Sequence, residues 1–196
     1  MIKKEYVMKT CCCLFAVVLL LSSCALAGDP KVIYEAGDKL NAHFYLSDKG
    51  QNSELDEIDG EPVLWLEYNR AEAPWFSMQF RAPDRSNVAG PFKSAKTIFE
   101  VYLPEEAGAS WLNMRIVDKD GETIQYGAKI EPTMQGWVSL TATVDAQKPS
   151  STWGGNVSNK VIDFPARFTE ITIDFRNKTA TGRLAIRRIL VEEEEE

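Results

Sequence analysis

Apolar and polar residues alternate with a spacing of two through most of this chain. That period reads as a series of β-strands, because successive side chains of a strand point to opposite faces. The pattern predicts strands at Leu40–Leu46, Val63–Tyr68, Trp75–Arg81, Thr97–Leu103, Trp111–Val117 and Thr123–Tyr126. Trp137–Val144, Phe168–Phe175 and Leu184–Val191 complete the set. In the last three the inward series is plain, for example Val138, Leu140, Ala142 and Val144 against Ser139, Thr141 and Thr143. Turn signals separate the strands: Asp59-Gly60, Asp118-Lys119-Asp120-Gly121, Gln135-Gly136 and Thr181-Gly182. No window carries the 3.6-residue period of an amphipathic helix. Many short antiparallel strands with turns at this spacing predict an all-β antiparallel β-sandwich, or jelly roll.

Two of these strands break the rule that the outward face is plain solvent surface. In Trp75–Arg81, residues Phe76, Met78 and Phe80 face one way, and Trp75, Ser77, Gln79 and Arg81 the other. In Trp111–Val117, residues Leu112, Met114 and Ile116 face a core, leaving Trp111, Asn113 and Arg115 opposite. Flat aromatic rings beside amide and guanidinium groups suit a sugar. Its C–H face stacks on the ring and its hydroxyls take the forked donors and acceptors. The long connection Asp145–Arg167 adds Trp153 in the run Trp153-Gly154-Gly155-Asn156, which either closes a site or plugs one end of a sandwich. The candidate carbohydrate contacts are therefore Trp75, Gln79, Arg81, Trp111, Asn113, Arg115 and Trp153.

The N-terminus lies outside the fold pattern. Lys3, Lys4 and Lys9 precede an apolar run from Cys11 to Leu21, the layout of a secretory signal peptide. Leu21-Ser22-Ser23-Cys24 has the form of a bacterial lipobox, with Cys24 becoming the lipidated first residue. Ala25-Leu26-Ala27 fits an ordinary cleavage site as well, but the lipobox reading is preferred because Cys24 follows the apolar run directly. The chain thus divides into a signal peptide (1–23), a lead-in (24–35), a sandwich domain (36–191) and an acidic tail (192–196). It is expected in the cell envelope or secreted. With at most one cysteine left it forms no internal disulfide, so packing must hold it. The formal charge is −7; loss of residues 1–23 removes three Lys and one Glu and leaves −9. Such a surface repels nucleic acid and anionic lipid, so a membrane is reached only through a lipid anchor.

Catalytic constellations are absent from the sequence. His43 is the only histidine, no G-x-S-x-G elbow presents a serine, and there is no phosphate-binding loop. Glu170 and Asp174 alternate outward and read as solvated, unlike a buried general acid. No enzyme activity and no cofactor are expected. Calcium is the metal that the loops Asp56–Gly60 and Asp118–Gly121 could take, although turns of this composition are common without it.

Several motifs resemble the galactose-binding-like jelly rolls that serve as carbohydrate-binding modules in secreted bacterial proteins. They are Gly136-Trp137 opening a strand, Trp153-Gly154-Gly155, Ile162-Asp163-Phe164-Pro165, the closing run Ile189-Leu190-Val191, and Gly60 leading into Pro62–Tyr68. The resemblance implies a β-sandwich that binds oligo- or polysaccharide on a concave sheet face or in end loops. It also implies, often, a structural calcium held near the first and last strands. The expected function is noncatalytic carbohydrate binding. The alternatives are a structural or assembly lipoprotein that uses exposed aromatics for protein contact, and a fragment of a glycan-active enzyme.

Overall fold

In a computed structural model of the chain, the residues described are 29–37, 43–46, 51–69, 76–81, 87–156, 158–176 and 181–194. They form strands and turns, with no helix among them. The strands are β1 (Lys31–Glu35), β2 (His43–Leu46), β3 (Gln51–Ile58), β4 (Glu61–Asn69), β5 (Phe76–Arg81), β6 (Val88–Ala89) and β7 (Ser94–Leu103). Then come β8 (Ala109–Val117), β9 (Glu122–Lys129), β10 (Gly136–Asp145), β11 (Thr152–Gly154), β12 (Ala166–Phe175) and β13 (Thr181–Glu194). Two antiparallel sheets result. One, here the back sheet, runs β10-β7-β13-β4-β3 with β1 added beside β13. The other, the front sheet, runs β11-β9-β8-β12-β5-β2 with β6 added beside β12.

The expected sandwich is what forms, and the alternating residues build its core. Phe99, Val101 and Leu103 of β7 and Leu184, Ile186 and Ile189 of β13 are buried on the back sheet. Leu112, Met114 and Ile116 of β8 and Ile171 and Ile173 of β12 are buried on the front sheet. They belong to one continuous cluster, and each such side chain contributes about 1.5–3 kcal/mol when taken fully out of water. Tyr68 of β4 crosses the core to Phe76 of β5 and Phe175 of β12, with ring centroids 5.9 and 4.8 Å away. Tyr126 of β9 and Thr97 of β7 share a buried hydrogen bond of 2.7 Å between the sheets.

Each of the nine expected strands has a counterpart among the described residues, and four further strands found there had no usable alternation. In β3, Asn52, Glu54, Leu55, Asp56 and Glu57 are all exposed, because the strand lies at a sheet edge and pairs only with β4. A strand that buries neither face has no period-two signal. Its carboxylates discourage edge-to-edge pairing. Strand β3 also answers for the loop Asp56–Gly60. Asp56 and Glu57 stand on the strand, and Asp59 and Gly60, at φ 57° and 82°, make a tight hairpin to β4.

The sandwich extends past both expected ends. Strand β1 lies within the expected lead-in, yet Ile33 and Tyr34 are buried. At the other end Glu192, Glu193 and Glu194 continue β13 opposite Lys96, Ala95 and Ser94. Glu193 lies 3.5 Å from Lys31, and Ser94 donates to Glu194 at 2.6 Å. The acidic run is thus strand over its described residues, Glu192–Glu194, where Lys96 and Lys31 offset its charge. The expected signal peptide, including Cys24, lies outside the described residues.

Candidate functional site

The predicted strands Trp75–Arg81 and Trp111–Val117 fall in one sheet, as β5 and β8, with β12 between them. Their outward faces are therefore continuous. One row across the front sheet is Gln79, Glu170, Arg115 and Gln125, from β5, β12, β8 and β9. The next is Ser77, Thr172, Asn113 and Gly127, and the third is Asp174, Trp111 and Lys129. Strand β11 adds Trp153 opposite Thr123. Thr123 alternates with the buried Ile124, so Trp153 shares the outward face. From Thr123 to Lys129, the partner of Trp111, is six residues of β9. At about 3.3 Å per residue this sets the two tryptophans roughly 20 Å apart along the strands.

The first row is a bonded network. Arg115 donates through Nε to Gln125 Oε1 at 2.8 Å and through Nη1 to Glu170 Oε2 at 2.8 Å. Its guanidinium carbon lies 5.2 Å from the centroid of the Trp153 ring. Glu170 is consequently not the solvated carboxylate expected from alternation: its side chain is 14% exposed and paired. The pairing is invisible in sequence because Arg115 and Glu170 are 55 residues apart. In the second row Asn113 is buried and donates to Thr172 Oγ1 at 3.2 Å. Gly127 makes room for it, since a Cβ there would collide with Asn113 Oδ1 and stand 2.9 Å from Leu112 O. Asn113 is thus part of the floor, while Trp111 and Trp153, 40% and 42% exposed, stand above it.

A second group of aromatics lies on the outer face of the back sheet. Trp65, Tyr102 and Trp137 form a row, edge to face, with centroids 6.1 and 5.6 Å apart. Arg183 covers Trp65 at 4.4 Å and Arg187 covers Trp137 at 5.1 Å. A bulge at Arg187 turns both Arg187 and Arg188 onto Glu100, each with a bond of 3.0 Å. Burial raises the Glu100 carboxyl, but the bonds from Arg188 and Arg187 outweigh it and hold the group below its usual range. Two open recesses flank this row, of about 400 Å³ beside Glu67 and Arg183 and about 250 Å³ beside Trp137 and Arg187. Both recesses are hollows, yet the row is a poorer candidate than the front face. The rings of this row, Trp65, Tyr102 and Trp137, are only partly exposed, whereas Trp111 and Trp153 stand exposed on the front face.

No protein-family model and no curated protein sequence matches the chain. Solved structures do match. One is the family 11 carbohydrate-binding module of the cellulosomal cellulase Lic26A-Cel5E of Clostridium thermocellum, at 12% identity and a TM-score of 0.56, covering 85% of this chain and 96% of that one. A family 11 carbohydrate-binding module from Clostridium thermocellum in complex with a β-1,3-1,4-mixed-linked tetrasaccharide matches at 13% identity and a TM-score of 0.55, covering 85% and 97%. The chain shares the β-sandwich fold of these modules. An exo-β-agarase matches at 12% identity and a TM-score of 0.55, with 85% of this chain spanning only 25% of that enzyme. At such identities the likeness concerns the fold.

Of the residues expected to contact sugar, Gln79, Trp111, Asn113, Arg115 and Trp153 come together on the front face. Arg81 ends β5 in the same sheet, its side chain outside the described part, and Trp75 lies outside the described residues. Sequence reasoning passed over Gln125, Gly127, Lys129 and Thr172. Gln125 was legible as an outward position of its strand; Lys129 lies beyond the expected end of that strand at Tyr126, and Gly127 and Thr172 gain meaning only from the side chains across from them.

The turn Asp118–Gly121 joins β8 to β9 as expected. Asp118 accepts N–H bonds from Asp120, Glu122 and Asp163 at 3.0, 2.8 and 3.4 Å. The Asp118 carboxylate is thus taken up by backbone N–H groups of the turn, of Glu122 and of the distant Asp163. Among the described residues no three His, Cys, Asp or Glu converge as metal ligands.

Proposed function

We propose that the chain is a noncatalytic carbohydrate-binding module, exported and anchored to a bacterial envelope through lipid on Cys24. The observation that carries sugar binding is the front face itself. Among the described residues Trp111 and Trp153 are the exposed large aromatics, and they share one sheet face with amide, carboxylate and guanidinium groups between them. Two rings about 20 Å apart along the strands suit an extended oligosaccharide lying along the strand direction, stacked at both ends and hydrogen-bonded between. Gln79, Gln125 and the Arg115–Glu170 pair supply donors and acceptors for hydroxyls. The fold shared with modules that bind glycans supports the same reading. An open platform of this kind binds weakly, with a Kd from roughly micromolar to millimolar, and gains by multivalency.

The test is electrophoresis through gels holding mixed-linkage β-glucan, xylan or agarose. Wild type should be retarded by at least one of them. Trp111→Ala and Trp153→Ala should each weaken that interaction about fivefold to tenfold, for a stacking contribution of roughly 1–1.4 kcal/mol. Equal retardation of the double variant and wild type would remove this face from consideration. Lipid anchoring is checked separately by palmitate labelling, which Cys24→Ser should abolish.

A further inference from the structure

Trp153 sits on a strand of only three residues at the edge of the front sheet, and a strand that short does not hold itself in place. The loop after β11 does the holding, turning back over the β8–β9 hairpin. Asn156 N–H donates to Asp120 O at 3.2 Å, and Lys119 N–H donates to Asp163 O at 3.1 Å. Further ties run to two buried carboxylates. Ser158 Oγ donates to Glu122 Oε1 at 2.8 Å, and Lys160 N–H to Glu122 Oε2 at 3.3 Å. Asp163 N–H donates to Asp118 Oδ2 at 3.4 Å, while Asp118 Oδ1 takes the N–H groups of Asp120 and Glu122.

Glu122 has no exposed surface at all, and the bonds it receives come from the Trp153 loop. A carboxylate out of water is tolerated only while such donors satisfy it, so the loop and the carboxylate stabilise one another's position. Glu122 lies opposite Gly154 in the β9–β11 ladder, one step from Trp153 on each strand. Gly155, at φ 77°, packs so closely on this residue that a Cβ would stand 2.8 Å from Glu122 N.

We infer that Glu122, assisted by Asp118, is the positioning residue for Trp153. The inward carboxylate clamps the loop so that the ring on the opposite side of the strand lies over Arg115, level with the rest of the platform. This rests on the reading of the front face as a glycan platform. Glu122 touches no sugar; it acts through Trp153.

The test uses the full chain as wild type, Glu122→Ala, Ser158→Ala, Trp153→Ala and the pair Glu122→Ala/Trp153→Ala. Ser158 is exposed, so its variant keeps the test sound should Glu122→Ala fold poorly. Amide exchange at Asn156, Lys160 and Asp163 should speed up in Glu122→Ala and Ser158→Ala. Retardation by β-glucan, xylan or agarose gels should weaken about fivefold in Glu122→Ala, a little under the tenfold that 1.4 kcal/mol represents. In the double variant the losses should not multiply, since Glu122 has nothing to position once the ring is gone. Wild-type retardation in Glu122→Ala and Ser158→Ala, or losses that multiply with Trp153→Ala, would overturn the inference while leaving the platform intact. A wild type that none of the three gels retards would overturn the platform reading, and the inference with it.

Discussion

Replacing Gly127 by alanine tests the floor of the front face. Alanine would ordinarily help, because glycine inside a strand is about 0.5–1 kcal/mol less favourable. Here the added Cβ would collide with Asn113 Oδ1 and stand 2.9 Å from the backbone oxygen of Leu112. Overpacking of that kind costs about 1–3 kcal/mol. If Asn113 swings aside to make room, it abandons Thr172, and a buried polar group left unpaired costs a further 1–3 kcal/mol or so. The losses outweigh the gain, and a net destabilisation of about 2 kcal/mol is expected. For a domain of this size each kcal/mol moves Tm by about 2–4 °C, so thermal unfolding followed by circular dichroism should show a drop of about 4–8 °C. Asn113→Ala in the same chain removes the side-chain collision and leaves the one with Leu112 O, so it should recover part of the loss. A Gly127→Ala protein that melts at or above the wild-type temperature would refute the reasoning.

Tyr126→Phe should cost about 1–2 kcal/mol by stranding the buried Thr97 hydroxyl, and Thr97→Val in that background should restore much of it; unchanged urea midpoints would contradict this. Glu100, held below its usual carboxyl value of 4.5 by Arg188 and Arg187, contributes stability that is full above that pH and is lost as pH falls through the lowered value. Acid unfolding of Glu100→Gln should therefore lack part of the wild-type decline below about pH 4.5, and superimposable acid limbs would count against it. Arg115→Ala frees Glu170 and Gln125 and uncovers the Trp153 ring, so tryptophan emission should shift and gel retardation should fall, both of which a purely solvent-exposed arginine would leave unchanged.

The strands were legible wherever one face is buried and the other wet, because burial is what writes the period into the chain. Strand β10 shows this, with Leu140, Ala142 and Val144 buried and Ser139, Thr141 and Thr143 exposed. Strand β3 was not legible, being an edge with exposed residues on both faces, and β11 has three residues, too few to show any period. The outward position of Trp111, Asn113 and Arg115 came from the same alternation. Their different duties did not, since Asn113 goes beneath the surface through Gly127 and Thr172, which face it from other strands.

By itself the sequence determined that this is an all-β sandwich and which side of each strand faces the core, because both depend on the local order of apolar and polar residues. It also singled out tryptophans with polar neighbours as the residues to watch. Only the tertiary structure decided that β5 and β8 flank β12 in one sheet, that Arg115 is shared by Glu170, Gln125 and the Trp153 ring, and that Glu122 clamps the loop behind it. Strand order and long-range pairing depend on how distant segments pack against one another, and no local spacing records that.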